Sequence, residues 1–535
     1  MAATTVLVAG GGPAGLAAAA ELALHGVDFV VVEPRARVSH RRPRAKTTSI
    51  RTMEHFRRWG IARTLREAAP LPVAWSQRVT FCSSLNGARI TDFDGAFGLT
   101  TARDDQFAEA GQQVPQPVVE EVLRAHLRGQ DLRLGVSVSE LKQREDHVEV
   151  QLSDGSSIDA RYVLGCDGAG GVVREQIGAH YVGSSHPQPN FNVVFRALSL
   201  DTRLGPAVQY WVTGGEVSGI VGRLDLAGTW WAIFFGISPA EGEARSAELI
   251  TAFAGGPVEH EVLATDPWTP RMLVADTFQD RRVFLVGESA HVNPPFGGHG
   301  FNTSVGDAVN IAWKIAAVSQ GWAPESLLDS YEPERRGVVE ETVASAAANT
   351  RLTGGGLPAD AAAIQRGKYA EFHSLGLVLG YSYAGSPIIH RGEPSPRTPA
   401  AHRGEPFPRT PAAHRGEPSP RTPRAQPSSS SPVGDVTRYE PSAEPGARLP
   451  HCWLPDGSSL YDHLGKGFTL IGPRQVPLPH SKVPVIFAQA PPSYPWHDDY
   501  LLVRPDQHIS WQGARPAPAD IEAALSAATG STPWA

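Results

Sequence analysis

Cysteine is scarce in this chain, and its scarcity sets the first limits on function. Only Cys82, Cys166 and Cys452 occur among 535 residues. None of them falls in a CxxC or another metal-ligand spacing, which excludes a disulfide-stapled scaffold and predicts no metal site. A chain without structural disulfides fits a reducing compartment, so we expect a cytoplasmic protein.

The sequence also lacks a basic cluster and a long apolar run. The formal net charge is -7, and the 48 Lys and Arg residues are scattered, so no face is expected to bind nucleic acid. No stretch reaches the roughly 20 apolar residues that a membrane helix needs. The N-terminus, MAATTVLVAGGG, has no basic region of a signal peptide. We expect neither nucleic acid nor a membrane as partner.

The first 33 residues show a strand, helix, strand pattern around a glycine-rich turn. Residues 4–9 and 27–33 are apolar and β-branched, and residues 16–25 are rich in Ala and Leu, which predicts a right-handed parallel crossover. The turn reads Gly10-x-Gly12-x-x-Gly15. Glycines there let backbone amides approach a pyrophosphate, and an acid such as Glu33 accepts hydrogen bonds from a ribose. The pattern predicts a dinucleotide site without saying which dinucleotide binds.

Changes in composition along the chain predict several domains. Residues 181–270 contain aromatic and β-branched runs such as TWWAIFF, which predict a sheet. We predict a dinucleotide-binding domain from 1–180 and 271–385, a substrate domain from 181–270 with part of 70–115, a linker at 386–438, and an α/β domain at 439–535. Within the linker, a 12-residue unit beginning HRGEP occurs three times. It is either a ligand for a proline-reading domain or, as we favour, an extended spacer.

Two further motifs follow the glycine-rich turn in order. They are GCDGAGGVVR at 165–174 and GESAHVNPPFGGHGFNTSVGDAVNIAWKIAA at 287–317. With GGGPAGL at 10–16, they make the chain resemble the class A flavoprotein monooxygenases, the aromatic hydroxylase family that includes phenol hydroxylase and polyketide hydroxylases. The resemblance covers residues 4–385, and the tail resembles the thioredoxin-like C-terminal domain of larger members. It implies an α/β fold with a Rossmann-like FAD-binding domain interleaved with an antiparallel-sheet substrate domain, plus a thioredoxin-like C-terminal domain.

The resemblance implies FAD as cofactor and NADPH or NADH as transient electron donor. Glu33 would hold the adenosine ribose, Asp167 would organise FAD, and Glu288 would bind the ribityl chain. Amides at the start of the helix after residue 300 would place positive partial charge near the reduced flavin. The residues expected to bind FAD are Gly10, Gly12, Pro13, Ala14, Gly15, Glu33, Arg44, Gln116, Asp167, Gly168, Glu288, Pro295, Gly298, Gly300, Phe301 and Asn302.

The implied reaction starts with reduction of FAD by NAD(P)H when substrate is bound. O2 then adds at flavin C4a, and the hydroperoxide hydroxylates a phenolic or polycyclic aromatic small molecule, in secondary metabolism. Baeyer-Villiger insertion or epoxidation on the same fold is an alternative, and so is a flavoprotein oxidase or a non-catalytic FAD protein. The expected partners are an aromatic substrate and O2, with a homodimer as a further expectation.

Two groups of residues are candidates for the chemistry and for substrate contact. Pro295 can fix a carbonyl edge beside the flavin, and His299 lies in the loop expected to face the ring. His291 is expected to be structural, and Glu54 and His55 are expected on a solvated helix face. The residues expected to line the substrate face are Trp211, Thr213, Arg223, Phe235 and Phe296.

The chain departs from the family pattern at three places. Glu288 stands where the third motif usually has Asp, and Gly170-Gly171 stand where Arg and Ser are usual. Lys46 occupies a position where phenol hydroxylase has a carboxylate near the substrate, so no acidic base is expected there. Cys452 is alone in the tail, so we expect packing or dimer contact there and no thiol chemistry.

Overall fold

The computed structural model describes residues 2–40, 46–351, 360–389 and 434–531. Its strands are β1 Ala2–Ala9, β2 Phe29–Glu33, β3 Thr47–Thr48, β4 Val79–Cys82, β5 Arg89–Phe93, β6 Gln112–Gln113, β7 Asp131–Leu134, β8 Val138–Gln143, β9 Val148–Leu152, β10 Ser157–Gly165, β11 Tyr181–Ser185, β12 Asn190–Arg196, β13 Gln209–Val212, β14 Gly219–Arg223, β15 Thr229–Phe235, β16 Glu261–Trp268, β17 Arg271–Ala275, β18 Gln279–Asp280, β19 Val283–Leu285, β20 His291–Val292, β21 Phe468–Gly472, β22 Val485–Gln489, β23 Tyr500–Val503 and β24 Ile509–Gly513. Its helices are α1 Pro13–His25, α2 Ile50–Arg58, α3 Ala62–Ala68, α4 Gln116–His126, α5 Val172–Gln176, α6 Pro239–Ala254, α7 His299–Ser319, α8 Tyr331–Arg351, α9 Ala361–Phe372, α10 Leu375–Leu379 and α11 Pro518–Ala528.

The first sheet has the parallel order β19-β10-β1-β2-β7, with β18 and β9 added antiparallel. Its central strands β1 and β2 are buried at successive residues, Val6–Ala9 and Phe29–Glu33, and this explains their near-continuous apolar runs. The predicted β-α-β unit is present as β1, α1 and β2. The mixed α/β fold predicted from the sequence is confirmed.

The second sheet has the order β16-β12-β15-β14-β13-β4-β5 and is mainly antiparallel. Alternation along β15 divides its two faces, as the period of two in a strand requires. Trp230 and Phe234 face a core closed by α6, where Phe234 lies 4.6 Å from Phe253 between ring centroids. Trp231 and Phe235 point to the opposite face, toward a second aromatic cluster.

The C-terminal segment forms a sheet of order β22-β21-β23-β24 with α11 packed beside it. It docks against the first domain through buried ions. Arg504 donates to both oxygens of Glu334 at 2.6 and 2.8 Å, and Asp506 accepts from Trp313 Nε1 at 3.2 Å. All three cysteines are free thiols.

The expectation for Glu54 and His55 was wrong. Both residues are buried, with 1% and 2% of their surface exposed. Arg448 donates to Glu54 from Nε at 3.2 Å, and Arg51 donates to it at 3.1 Å. The polar face of α2 is therefore an interface with the C-terminal segment and is not a solvated surface.

Some predictions fall on residues outside the described ranges. These are the binding role of Arg44 and the three HRGEP repeats at 390–425. The boundaries of the predicted domains stay a prediction.

Candidate active site

The glycine-rich turn leaves an open, uncapped helix start. A Cβ on Gly10 would lie 2.4 Å from the Cys166 carbonyl oxygen, and one on Gly15 would lie 1.9 Å from the Gly10 oxygen. These two glycines therefore serve close packing of backbone on backbone. In the part of the chain that the structure describes, a Cβ on Gly12 would meet nothing within 4 Å and no side chain caps α1, which has Pro13 in its first turn. The free amides and the open space suit a phosphate group.

Glu33 lies at the end of β2, directly against this turn. Its Oε2 accepts from the Gly11 amide at 2.7 Å, and its Oε1 accepts from Arg35 Nε at 2.6 Å. Burial raises the pKa of Glu33, but the hydrogen bonds from Arg35 and Gly11 outweigh it, so the pKa is lowered. The carboxylate stays ionised and keeps lone pairs for a further donor.

Gln116 joins the same region through a chain of polar contacts. Gln116 Nε2 donates to Glu120 at 2.7 Å, and Glu120 lies 3.2 Å from Arg35. The structure thus brings Gln116 and Glu33 into one polar group, although they are far apart in sequence.

Asp167, in the DG motif, is held partly by the backbone of its own motif and partly by the third motif. Its carboxylate accepts from the Val173 amide at 3.0 Å and from Ser289 Oγ at 2.9 Å, and Ser289 Oγ also accepts from the Gly168 amide. Burial raises the pKa of Asp167 despite these bonds. A Cβ on Gly171 would lie 2.0 Å from the Asp167 carboxyl carbon, which explains glycine there. Ser289 links the second motif to the third, and no pattern in the sequence singled it out.

Within the third motif, Glu288 is exposed and His291 is buried. Nε2 of His291 lies 2.7 Å from Asp307 Oδ2, and Arg335 donates to Asp307 Oδ1 at 2.7 Å. Burial raises the pKa of Asp307, but the charge of Arg335 outweighs it, so the pKa is lowered. A Cβ on Gly287 would lie 3.0 Å from Ala14 Cβ, so the first and third motifs meet.

The loop that leads into α7 is held by hydrogen bonds on one side, and on its other side the first amides of α7 are open. Gly298 takes φ 71°, and its amide donates to the carbonyl of the exposed Pro295 at 3.0 Å. Asn302 donates to the Gly298 carbonyl at 2.6 Å and to the Thr47 carbonyl at 3.0 Å. Among the described side chains, none caps α7. The first-turn amides, which include those of Gly300 and Phe301, can therefore receive a partial negative charge.

His299 is the first residue of α7 and is buried. Within the described ranges its Nε2 has no hydrogen-bond partner, and burial lowers its pKa to about 4. The imidazole is therefore neutral near pH 7. Its ring and the side-chain Nδ2 of Asn349 flank Gly297, and this Nδ2 also has no partner among the residues that the structure describes.

An aromatic cluster joins this loop to the second sheet. Phe296 lies 6.3 Å from Trp211 and 5.8 Å from Phe235 between ring centroids, and Trp211 lies 5.8 Å from Phe235. The structure brings together three of the five residues predicted for the substrate face. Thr213 is buried, and its hydroxyl has no hydrogen-bond partner in the described part of the chain. Arg223 lies apart, 4.2 Å from the ring of Trp230 on the α6 side of the sheet.

Helix α9 contributes residues that the sequence did not reveal. Phe372 packs 5.9 Å from Trp211. Lys368 lies 4.3 Å from the centre of the Trp211 ring and 2.7 Å from Glu371. Burial lowers the pKa of Lys368 and raises that of Glu371. The spacing of Ile364, Lys368 and Phe372 by four residues was the available signal, since such residues share one helix face.

These features define an FAD-binding protein. Two helix starts test whether the chain fits FAD. Among the described residues, no side chain caps α1, which has open space at Gly12, and none caps α7. Both suit an anionic dinucleotide whose reduced ring carries negative charge.

Comparison with known proteins identifies the family. Residues 3–346 match the FAD binding domain family, and residues 442–532 match the C-terminal domain of aromatic-ring hydroxylases. The chain belongs to the FAD binding domain family and is an FAD-dependent monooxygenase. The resemblance and the cofactor predicted from the sequence are therefore confirmed.

Individual relatives agree with this assignment. The FAD-dependent monooxygenase apdD of Emericella nidulans is 28% identical over 95% of this chain and 87% of its own length. The rebeccamycin biosynthetic enzyme RebC with reduced flavin superposes with a TM-score of 0.82 at 28% identity over 99% of each chain. A ternary complex of aklavinone-11 hydroxylase with FAD and aklavinone superposes with a TM-score of 0.80 at 25% identity, over 98% of this chain and 99% of that one.

Proposed function

We propose that this monooxygenase hydroxylates a phenolic or polycyclic aromatic small molecule held against Trp211, Phe235 and Phe296. The observation that carries the proposal is the position of Phe296. It lies in the loop that opens α7 and at the same time contacts two aromatic residues of the second sheet. A flat apolar ligand placed there would pack against aromatic faces while facing the uncapped start of α7.

The cofactor roles predicted from the motifs are retained as part of this proposal. Gly12 and the first turn of α1 would bind the pyrophosphate, and Glu33 would accept hydrogen bonds from the adenosine ribose. Asp167 and Glu288 would lie beside the ribityl region. Gln116 would support the site through its hydrogen bond to Glu120. Bound FAD supplies the activation of O2 and the transfer of oxygen, while the chain supplies binding, orientation and electrostatics.

Pro295 and His299 are the chain's own candidates beside the reacting atoms. The Pro295 carbonyl accepts from Gly298 and keeps one lone pair for a second donor. His299 is neutral near pH 7, so it would exchange a hydrogen bond at Nε2 and would not act as a cation. The surrounding aromatic side chains would exclude water from this space.

Other expectations also belong to the proposal. NADPH or NADH would be the electron donor, the reaction would serve secondary metabolism, and the protein would act in the cytoplasm, with a homodimer as its assembly. Among the helices that the structure describes, none is long and apolar enough to cross a membrane.

Purified holoprotein should oxidise NAD(P)H faster when a phenolic aromatic compound is present, and an oxygenated product should accumulate. We would measure NAD(P)H absorbance and analyse products by mass spectrometry. Unstimulated NAD(P)H oxidation that yields only hydrogen peroxide would instead support an oxidase, and insertion of oxygen into a ketone would support a Baeyer-Villiger enzyme.

Substitution at the DG motif tests the role of Asp167. In Gly171→Ala, the new Cβ would push the Asp167 carboxylate away from Ser289, because the two carbons would be 2.0 Å apart. We expect FAD affinity to fall about tenfold, the cost of roughly one charge-assisted hydrogen bond. Titration of apoprotein with FAD, followed by flavin fluorescence, gives the dissociation constant.

The adjacent glycine provides a matched control. A Cβ on Gly170 would meet no described atom within 4 Å, so Gly170→Ala should bind FAD as the parent protein does. Equal affinities for the two variants would show that the position of the Asp167 carboxylate is unimportant for FAD.

A further inference from the structure

We propose that Tyr383, Arg335 and Asp307 connect the C-terminal segment with the FAD site, so that FAD binding and the docking of this segment stabilise each other. The three side chains act as positioning residues: they hold the backbone of Gly287 and do not touch the cofactor. The inference rests on the proposed cofactor role of the third motif, and it does not depend on the identity of the substrate.

The carboxylate of Asp307 lies where the first and third motifs meet. Its Oδ2 accepts a hydrogen bond from the Gly287 amide at 3.2 Å, and Nε2 of His291 lies 2.7 Å from the same oxygen. Gly287 has φ 68°, and a Cβ on it would lie 3.0 Å from Ala14 Cβ. The position of this carboxylate therefore helps to fix the backbone that leads into Glu288.

The guanidinium group of Arg335 holds the other carboxylate oxygen of Asp307. Its Nε donates to Oδ1 at 2.7 Å. Its Nη2 donates to the Thr303 carbonyl at 3.2 Å, and its Nη1 donates to the hydroxyl oxygen of Tyr383 at 2.9 Å. All three nitrogens of a planar, rigid group are engaged, so a shift of one partner changes the hydrogen bonds to the other two.

Through its contacts, Tyr383 is attached to the C-terminal segment. Its ring centroid lies 4.4 Å from that of His508, and its amide donates to the Gly446 carbonyl at 2.9 Å. A Cβ on Gly446 would lie 2.4 Å from the backbone nitrogen of Ala384, so the two backbones are in direct contact. A movement of the C-terminal segment would therefore carry the Tyr383 hydroxyl with it.

The connection is closed to water along its length. Asp307, Arg335 and Tyr383 are 0%, 1% and 1% exposed, so water does not readily replace a partner that moves away, and the buried group that loses it is left unsatisfied. FAD that fixes the third motif thereby favours the docked C-terminal segment, and the docked segment favours FAD. Coupling between two such equilibria is reciprocal, so it can be measured from both ends.

Deletion of one hydroxyl tests this connection. Tyr383→Phe keeps the ring against His508 and removes only the oxygen that accepts from Arg335. Tyr381→Phe is the matched control, because the Tyr381 ring lies 5.3 Å from His508 and its hydroxyl has no hydrogen-bond partner among the described residues.

Two measurements are made on the parent protein and on both variants. Titration of apoprotein with FAD, followed by flavin fluorescence, gives the dissociation constant. Hydrogen exchange with mass spectrometry, with and without saturating FAD, gives the protection of the peptides that cover β23, β24 and the turn between them.

We expect FAD to slow exchange at β23 and β24 in the parent protein and in Tyr381→Phe. Tyr383→Phe should bind FAD about tenfold more weakly, the effect of losing one hydrogen bond from a charged donor, and FAD should no longer slow exchange at these strands. A merely structural role of the hydroxyl would speed exchange with and without FAD and would leave the difference that FAD makes.

Three results would overturn the connection. These are equal FAD affinities of Tyr383→Phe and the parent protein, undiminished protection by FAD in that variant, or a parent protein in which FAD leaves exchange at β23 and β24 unchanged. The last comparison decides even if Tyr383→Phe does not fold. A protein that binds FAD and oxygenates an aromatic compound without this coupling would leave the proposed function intact, whereas a parent protein that binds no FAD would contradict both.

Discussion

Glu334→Gln should lower the free energy of unfolding by about 3–5 kcal/mol, the usual cost of leaving a buried charge without its partner. Glu334 is fully buried and accepts hydrogen bonds from Arg504, from Lys314 at 2.8 Å and from Asn310 at 2.7 Å. Removing its charge takes the carboxylate partner from the buried Lys314, while Arg504 keeps Asp506 at 2.6 Å, between the first domain and the C-terminal segment. Urea unfolding followed by tryptophan fluorescence measures the change.

An exposed glutamate gives the matched control for this substitution. Glu241 lies 2.7 Å from Arg245, but both side chains are about one third exposed, at 37% and 33%. Glu241→Gln should therefore change stability by less than about 1 kcal/mol. Similar losses in the two variants would contradict the interface role of Glu334.

The pH dependence of the Glu334 contribution has a definite sign. Burial raises the pKa of Glu334, but the charges of Arg504 and Lys314 outweigh it and lower the pKa from 4.5 to about 2. A lowered pKa contributes stability that is present above pH 4.5 and is lost as the pH falls toward 2. The stability difference between the parent protein and Glu334→Gln should shrink over that window. A difference that does not change with pH would show that the carboxylate charge is not the source.

Gly297→Ala should reduce turnover about 100-fold, because displacement of a catalytic loop by about 1 Å has effects of that size. Gly297 has φ 90°, and a Cβ there would lie 2.5 Å from His299 Nε2 and 3.4 Å from Asn349 Nδ2. The methyl group would therefore move His299, the start of α7, or both. Steady-state rates of substrate-stimulated NAD(P)H oxidation measure the effect, with FAD content determined for each preparation.

A substitution at Gly321 separates the effect of the collision with His299 from the effect of backbone strain. It has φ 76°, and a Cβ there would meet nothing within 4 Å. Gly321→Ala therefore carries a similar left-handed strain without the collision and should keep nearly full turnover. Equal turnover in the two variants would show that the space over Gly297 does not matter for catalysis.

The elements that could be predicted from the sequence are those that depend on residues close to one another along the chain. The unit β1, α1 and β2 follows from apolar runs and glycines within the first 33 residues, and α7 follows from its apolar stripe. Helix α7 begins at His299, close to the start expected after residue 300, although glycines and polar residues interrupt the apolar pattern in its first two turns.

The errors and omissions concern partners that are distant in sequence. Arg448, which makes Glu54 a buried residue, lies 394 positions away, and Ser289 lies 122 positions from Asp167. A charged helix face looks the same in sequence whether water or a second charged surface covers it. Arg223 shows the same difficulty within one strand, since the face of β14 that lies beside the aromatic cluster depends on which side α6 covers.

Isotope labelling tests the central claim most directly. Holoprotein would be incubated with NAD(P)H, an aromatic substrate that stimulates its turnover, and labelled O2, and the product would be analysed by mass spectrometry. The account predicts a hydroxylated aromatic product that carries one labelled oxygen atom, formed in proportion to the NAD(P)H consumed. Product oxygen that comes from water, or NAD(P)H consumption with no oxygenated product, would contradict it.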